Sequence, residues 1–210
     1  MEQKSSEVSL FTALAVVAAV LAMVVTVGIV IGNNFFWKPA DERSIETRKY
    51  DQIERVFRQN PGSKSAALAY AISLYDKGQN EEADENFKVL IEKFPKDTAV
   101  LINYGLFKKE TGDIKEAKAS FEKVLKNAPY FVIANVQYGI LLREEGSYSE
   151  ALKKFDNAIK IEPGSADILV EKAKVYIAMK DTKKASELLN KALTFVPDYK
   201  EAEDLLNQLK

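Results

Sequence analysis

The sequence predicts an all-α fold, a solenoid of helix–turn–helix units that follows one transmembrane helix. The first observation is a fixed interval of 34 residues, at which five of the six prolines recur: Pro61, Pro95, Pro129, Pro163 and Pro197. About 34 residues is the length of a two-helix repeat, and such repeats stack on their neighbours instead of sharing one globular core. The second observation is an apolar run without charged residues at positions 10–31.

The apolar run 10–31 is predicted to be an uncleaved transmembrane helix. At about 1.5 Å per residue it would be about 33 Å long, enough for a bilayer core of about 30 Å. The linker 32–40 contains aromatic residues suited to the membrane–water interface, Phe35, Phe36 and Trp37. The alternative, a cleaved signal peptide, would have a shorter apolar core behind a positively charged region. The tail formed by residues 1–9 instead carries one Lys and two Glu.

The positive charges that flank this helix are nearly balanced, so they give only a slight preference for its orientation. Lys4 precedes it, whereas Lys38 and Arg43 follow it, which slightly favours a cytoplasmic repeat domain. A short N-terminal tail is more typical of anchors that export the domain behind them, so we expect the repeats on the extracytoplasmic side. Gly28 and Gly32 form a small-residue motif that would permit weak homodimerisation, although small residues are common in all membrane helices.

Four repeat units follow when each proline is placed at position 32: residues 64–97, 98–131, 132–165 and 166–199. Small residues at positions 8 and 20 would let the two helices of a unit approach closely, and a large residue at position 24 would fill the space between units. Glycine at position 15 suits the turn between the helices, where φ is positive; Lys180 replaces it in the fourth unit. The residues are Ala71, Gly105, Gly139 and Ala173 at position 8; Ala83, Ala117, Ala151 and Ala185 at position 20; Phe87, Phe121, Phe155 and Leu189 at position 24; and Gly78, Gly112 and Gly146 at position 15.

Helices are also expected on either side of these units. The segment 41–60 has apolar residues on one helical face, Ile45, Ile53, Val56 and Phe57. It lies where the second helix of an earlier unit would lie, so we interpret it as a capping helix or a degenerate half repeat. The segment 200–210 is predicted to be a second capping helix, because terminal units must cover a hydrophobic face.

The second helices carry a recognisable pattern. Residues 112–121 read GDIKEAKASF and residues 146–155 read GSYSEALKKF. Both resemble the tetratricopeptide repeat (TPR) family, and the resemblance covers residues 64–197. It implies a right-handed superhelix in which the first helix of each unit lines a concave groove that binds proteins. Two features depart from the family pattern: the usual Trp at position 4 is absent, and the usual Tyr at position 11 survives only as Tyr176.

The same resemblance implies that positions 2, 5, 9, 12 and 13 of the first helices project into the groove. Positions 2 and 5 carry no Lys or Arg, so a cationic clamp for a partner's terminal carboxylate is not expected. We predict instead an aliphatic floor with charges at its rim, and an exposed apolar stripe of that size usually marks a binding site. The alternatives are that a terminal helix covers the floor or that some of these residues are core. The predicted partner-binding residues are Leu68, Ile72, Tyr75, Ile102, Leu106, Lys109, Ile133, Val136, Ile140, Arg143, Val170 and Lys174.

Composition limits the remaining functions. With 30 Lys and Arg against 31 Asp and Glu, the chain has no excess of positive charge for nucleic acid. It has no Cys and no His, which removes disulfides, the commonest general base and the commonest metal ligand. No phosphate-binding loop or metal-ligand motif occurs either. We therefore expect no enzyme activity, no cofactor and no metal.

These observations predict a membrane-anchored scaffold. Its groove would bind an apolar or amphipathic segment of a partner protein, in the assembly, secretion or maintenance of a membrane or envelope complex. The alternative is a self-assembling structural protein whose groove is filled by another copy or by its own terminal helix.

Overall fold

The computed structural model describes Met23 and residues 44–209. Contacts between Cα atoms divide the chain into two units, Met1–Lys49 and Tyr50–Lys210. In the first unit, the description covers Met23 and residues 44–49, of which the last five are helical. The predicted tail 1–9, the transmembrane helix 10–31 apart from Met23, and the linker 32–40 lie outside the described residues. Within the part that is described, no helix combines the length and the apolar character needed to cross a bilayer.

The described residues form ten α-helices and no strand, as an all-α repeat solenoid requires. Helices α2, α4, α6 and α8 are the first helices of successive units, and α3, α5, α7 and α9 are the second helices. The bounds are α1 Ile45–Gln59, α2 Lys64–Asp76, α3 Asn80–Lys93, α4 Thr98–Glu110, α5 Ile114–Asn127, α6 Val132–Glu144, α7 Tyr148–Ile161, α8 Ala166–Ala178, α9 Thr182–Phe195 and α10 Lys200–Gln208.

The turns between the paired helices share one backbone conformation. Gly78, Gly112 and Gly146 have φ values of 76°, 85° and 80°. Lys180 adopts the same left-handed conformation in the last of these turns, with φ of 63°. This conformation brings a Cβ atom too close to the following carbonyl oxygen. The fourth turn therefore keeps its shape at a steric cost that the three glycines avoid.

Close contact between the two helices of a unit depends on the repeated small residues. The alanines at position 20 are fully buried, and the large residues at position 24 are at most 1% exposed. A Cβ atom added to Gly105 would lie 2.6 Å from the Phe121 ring, and one added to Gly139 would lie 2.9 Å from the Phe155 ring. Each aromatic ring thus packs directly on the backbone of the facing helix.

The first helices form a continuous inner layer in the unit Tyr50–Lys210. Each first helix packs against its own second helix, and α2, α4, α6 and α8 also contact one another in succession. No comparable contact joins one second helix to the next in the described range. Because the outer helices are spread apart and the inner ones touch, the first helices line the concave side. Helix α10 packs against α9 and buries Ala202 completely.

Helix α1 is much less embedded than the repeats. It contains no buried residue. Phe57 stacks on Tyr70 of α2 with ring centroids 4.5 Å apart. Val56 is 48% exposed although it occupies position 27 of the repeat, where the four complete units bury their residues to 2% exposure or less. One face of α1 is therefore open where a first helix packs in the complete units.

Candidate protein-binding groove

The inner layer presents a row of aliphatic side chains that are only partly covered. Leu68 and Ile72 pack on the core between the first two units, and Leu106, Val136 and Ile140 pack on the central core. All five are half-buried. Ile133 at the start of α6 is 49% exposed. Partly exposed aliphatic residues in line along one concave side give a surface that an apolar partner can cover.

Two of the predicted floor residues belong to the core instead. Ile102 is 6% exposed and Val170 is 1% exposed. Ile102 lies in the same buried cluster as Ala134 of the next first helix. Val170 lies in the cluster that includes Ala202, so α10 and its surroundings enclose it. The expectation of a contiguous exposed stripe is corrected here: the floor is interrupted at these two positions.

Tyr75 at position 12 of the first unit is also half-buried, because its ring packs edge-on against Phe107, with centroids 5.5 Å apart. The corresponding positions of the next two units carry the cations Lys109 and Arg143. Position 12 is thus aromatic in the first unit and cationic in the second and third units.

The three predicted groove cations are each engaged by the following unit. Lys109 Nζ donates to Gln137 Oε1 at 3.0 Å. Arg143 Nη2 lies 3.5 Å from Glu171 Oε2. Lys174 Nζ lies 2.7 Å from Glu201 Oε1 and 2.5 Å from Glu171 Oε1. The contacts of Lys109 and Arg143 join consecutive first helices, and the contact of Lys174 with Glu201 joins α8 to α10. The cations thus link successive parts of the solenoid and are not free charges.

The contacts of Lys174 also shift its pKa. Burial of the ammonium group lowers its pKa, but hydrogen bonds to Glu171 and Glu201 outweigh burial and raise the pKa above its usual value. Lys174 is therefore charged throughout the neutral range and already carries two carboxylate partners.

Position 13, which the TPR resemblance places at the groove, carries acidic residues in three units. Asp76, Glu110 and Glu144 are the last residues of α2, α4 and α6, and all three are exposed. Glu110 and Glu144 lie 3.4 Å and 3.6 Å from the cations that precede them, at the long end of an ion pair. A negative charge at a helix C-terminus opposes the helix dipole and costs about 0.3–1 kcal/mol. The three acids thus occupy positions where helix stability alone favours a cation.

The sequence did not reveal a charged cluster between the first two units. Lys108 is 8% exposed, with its ammonium group 2.7 Å from Asp84 Oδ1 and 3.2 Å from Glu116 Oε2. The Tyr104 hydroxyl also donates to Glu116. Lys108 occupies position 11, where the other three units carry Leu74, Leu142 and Tyr176. That break in the pattern was the available signal.

Each group in this cluster has a shifted pKa with a definite cause. Burial lowers the pKa of Lys108, but its hydrogen bonds to Asp84 and Glu116 outweigh burial and raise it overall. The Tyr104 hydrogen bond is the main cause that lowers the pKa of Glu116. Burial, followed by Glu116, raises the pKa of Tyr104 well above its usual value. The cluster is a structural joint between units. Across residues 44–209, no group of three acidic side chains could hold a metal ion.

Comparison with known proteins agrees with this architecture. Sequence models described as tetratricopeptide repeat match residues 65–97, 108–166 and 142–209. The chain carries tetratricopeptide repeats. A comparison with the sequences of curated proteins found no significant match.

Several solved TPR structures are similar to this chain. YrrB, described as a TPR protein with an unusual peptide-binding site, is 21% identical with a TM-score of 0.63, over 76% of this chain and 82% of YrrB. A thermophilic TPR protein from Thermus thermophilus is 18% identical with a TM-score of 0.63, over 78% and 90% of the two chains. MamA from residue 41 onward, from Desulfovibrio magneticus, is 20% identical with a TM-score of 0.61, over 79% and 84%. At these identities the likeness shows the shared fold alone.

Proposed function

We propose that this TPR chain is a membrane-anchored scaffold that binds a segment of a partner protein in its concave groove. The observation that carries the proposal is the inner layer, where Leu106, Val136 and Ile140 are half-buried and Ile133 is 49% exposed. Apolar side chains that stay accessible in line along a groove are a common basis for peptide recognition. The peptide-binding site described for YrrB supports the same use of this fold.

The membrane part of the proposal rests on the apolar run at residues 10–31. A helix of that length and composition would hold the repeats within a short tether of the bilayer. Tethering raises the effective concentration of any membrane-bound partner, so a modest intrinsic affinity is sufficient. We propose that the repeats lie on the extracytoplasmic side, on the general expectation for anchored domains of this kind. The complexes served would be those that assemble or are maintained at the membrane or envelope.

The same groove argues for binding without catalysis. Its floor is aliphatic, and its cations are committed to contacts between units. The chain has no His and no Cys, which removes the commonest general base and the most reactive side-chain nucleophile.

The experiment that tests the scaffold is crosslinking in native membranes, followed by affinity capture. Ile133→Asn and the double variant Ile133→Asn/Ile140→Asn place amides on the floor, and Val89→Asn on α3 is the matched control because Val89 is 48% exposed. Proteins captured by the wild type and by Val89→Asn but lost with Ile133→Asn support the groove. Identical capture by all variants, with unchanged helical melting, would exclude it.

Self-assembly is the second candidate, and the open face of α1 favours it. Val56 is 48% exposed at a repeat position that the complete units bury, so another copy could cover it. Self-assembly would give the wild type, in mild detergent, a particle mass that increases with protein concentration. The Val56→Asn variant would keep the mass of a monomer. A constant monomer mass in the wild type would exclude this function.

A further inference from the structure

We infer that the groove selects cationic amphipathic segments, in which Lys or Arg side chains stand beside apolar ones. The inference rests on the proposed function, since it defines the partner of the same groove. It depends on the arrangement of three acids relative to the floor and on the contacts that engage Lys109, Arg143 and Lys174.

The acids and the floor form two parallel columns. Position 9 carries Ile72, Leu106 and Ile140, and position 13 carries Asp76, Glu110 and Glu144. Residues four apart on a helix are neighbours on one face. Each of these first helices therefore offers an aliphatic side chain and, one turn later, an exposed carboxylate. The pair recurs in three consecutive units, so a segment that lies along the groove meets an apolar column beside an acidic column.

The acidic column is not explained by the stability of the helices. Asp76, Glu110 and Glu144 each end a first helix, where the helix dipole disfavours negative charge. The fourth unit, with Ala178 at this position, shows that the fold does not require an acid there. No ion pair joins Asp76 to another described residue, and the side chains of Glu110 and Glu144 are 54% and 55% exposed.

The cations of the groove do not cancel this charge for a ligand. Lys109 and Arg143 contact Gln137 and Glu171 of the following units, and Lys174 contacts Glu201 of α10. A ligand carboxylate would have to displace those contacts, whereas a ligand ammonium or guanidinium group meets exposed carboxylates. Charge complementarity therefore favours a cationic occupant over an acidic peptide, an anionic lipid or a nucleic acid.

The test uses two dye-labelled peptides of about 18 residues, long enough for a helix of about 27 Å. Both carry leucines at helical i, i+3, i+4 and i+7 spacing; one has lysine and the other glutamate on the polar face. Fluorescence anisotropy measures their binding to the full chain in zwitterionic detergent, with empty micelles as the blank. The acid-neutralised variant is Asp76→Asn/Glu110→Gln/Glu144→Gln. The matched control, Glu85→Gln/Glu92→Gln/Glu187→Gln, removes three exposed acids from second helices.

We expect the lysine peptide to bind the wild type and the control alike, more weakly as salt increases. The acid-neutralised variant should bind it about fivefold to thirtyfold more weakly, as expected for three exposed charge pairs. Glu144→Gln alone should show part of the same loss. The glutamate peptide should bind more weakly than the lysine peptide.

The remaining outcomes separate the two proposals. If the lysine peptide binds the acid-neutralised variant as tightly as the wild type, or if the glutamate peptide binds better, the selectivity is overturned. The proposed groove then still stands provided that Ile133→Asn weakens binding. If neither peptide binds, or if Ile133→Asn changes nothing, the groove itself is not the binding site and both proposals fail. If the protein self-associates as its concentration increases, and this association blocks peptide binding, a second copy is the occupant and the inference is overturned.

Discussion

Replacement of Gly105 by alanine is expected to destabilise the repeats, although alanine is the better helix former. The new Cβ atom would lie 2.6, 2.9 and 3.0 Å from three atoms of the Phe121 ring, and that ring is fully buried, so it has no space into which to move. Overpacking of this kind costs about 1–3 kcal/mol, while the gain in helix propensity is about 1 kcal/mol. The difference is a net loss of up to about 2 kcal/mol, which lowers the melting temperature by up to about 4–8 °C for a domain of this size. Circular dichroism recorded during thermal unfolding measures this change in melting temperature.

The fourth unit supplies the control for this prediction. It pairs Ala173 with Leu189 at the same two positions, and the first unit fits Ala71 opposite Phe87. An alanine is therefore accommodated where the facing side chain is smaller or where the two helices leave more room. Gly105→Ala/Phe121→Leu should therefore be more stable than the sum of the single changes implies, with a coupling of about 1 kcal/mol. If Gly105→Ala raises the melting temperature, or if the two changes are additive, the close approach of ring and backbone does not limit the packing of this unit.

Three further predictions concern the turns and the charged joint. Lys180→Gly should stabilise the fourth unit by about 1 kcal/mol, because glycine adopts the left-handed conformation without a steric cost; denaturant unfolding measures the change, and a decrease would contradict it. Lys108→Met should destabilise the chain by about 1–3 kcal/mol. This loss is smaller than that for breaking a fully buried ion pair, because the Glu116 side chain is 45% exposed. Equal or greater stability in denaturant unfolding would show that the ammonium group is dispensable. The raised pKa of Tyr104 means that its contribution is complete below the unfolded pKa of about 10 and is lost as pH rises through the folded value. Melts between about pH 8 and 11 should show alkaline destabilisation that is smaller in Tyr104→Phe, and an identical profile would contradict this cause.

The repeat register could be read from the sequence because its determinants are local and recur. A proline, a glycine and a pair of small residues at fixed spacing define one helical hairpin, and the hairpin's own packing needs little else. The TPR resemblance then placed the first helices on the concave side. The inner layer of α2, α4, α6 and α8 agrees with that placement.

The exposure and the contacts of individual groove residues depend on neighbours that lie outside their own unit. Ile102 and Val170 share position 5 with Leu68 and Val136, yet only the first two are buried. Their exposure is decided by what the adjacent helices carry. The pairing of Lys109, Arg143 and Lys174 with the next unit depends in the same way on position 6 or on α10. A pattern within one repeat predicts which face a residue occupies, but not which residue of the next repeat covers or binds it.

The contacts from Lys109, Arg143 and Lys174 to the following units have a mechanical consequence. Each one crosses a single joint on the inner side of the curve, and the units touch only their immediate neighbours. The angle between each pair of neighbouring units is therefore determined by contacts at that junction. If one junction opened, the ends of the groove would move apart by an amount that grows with the number of units beyond it.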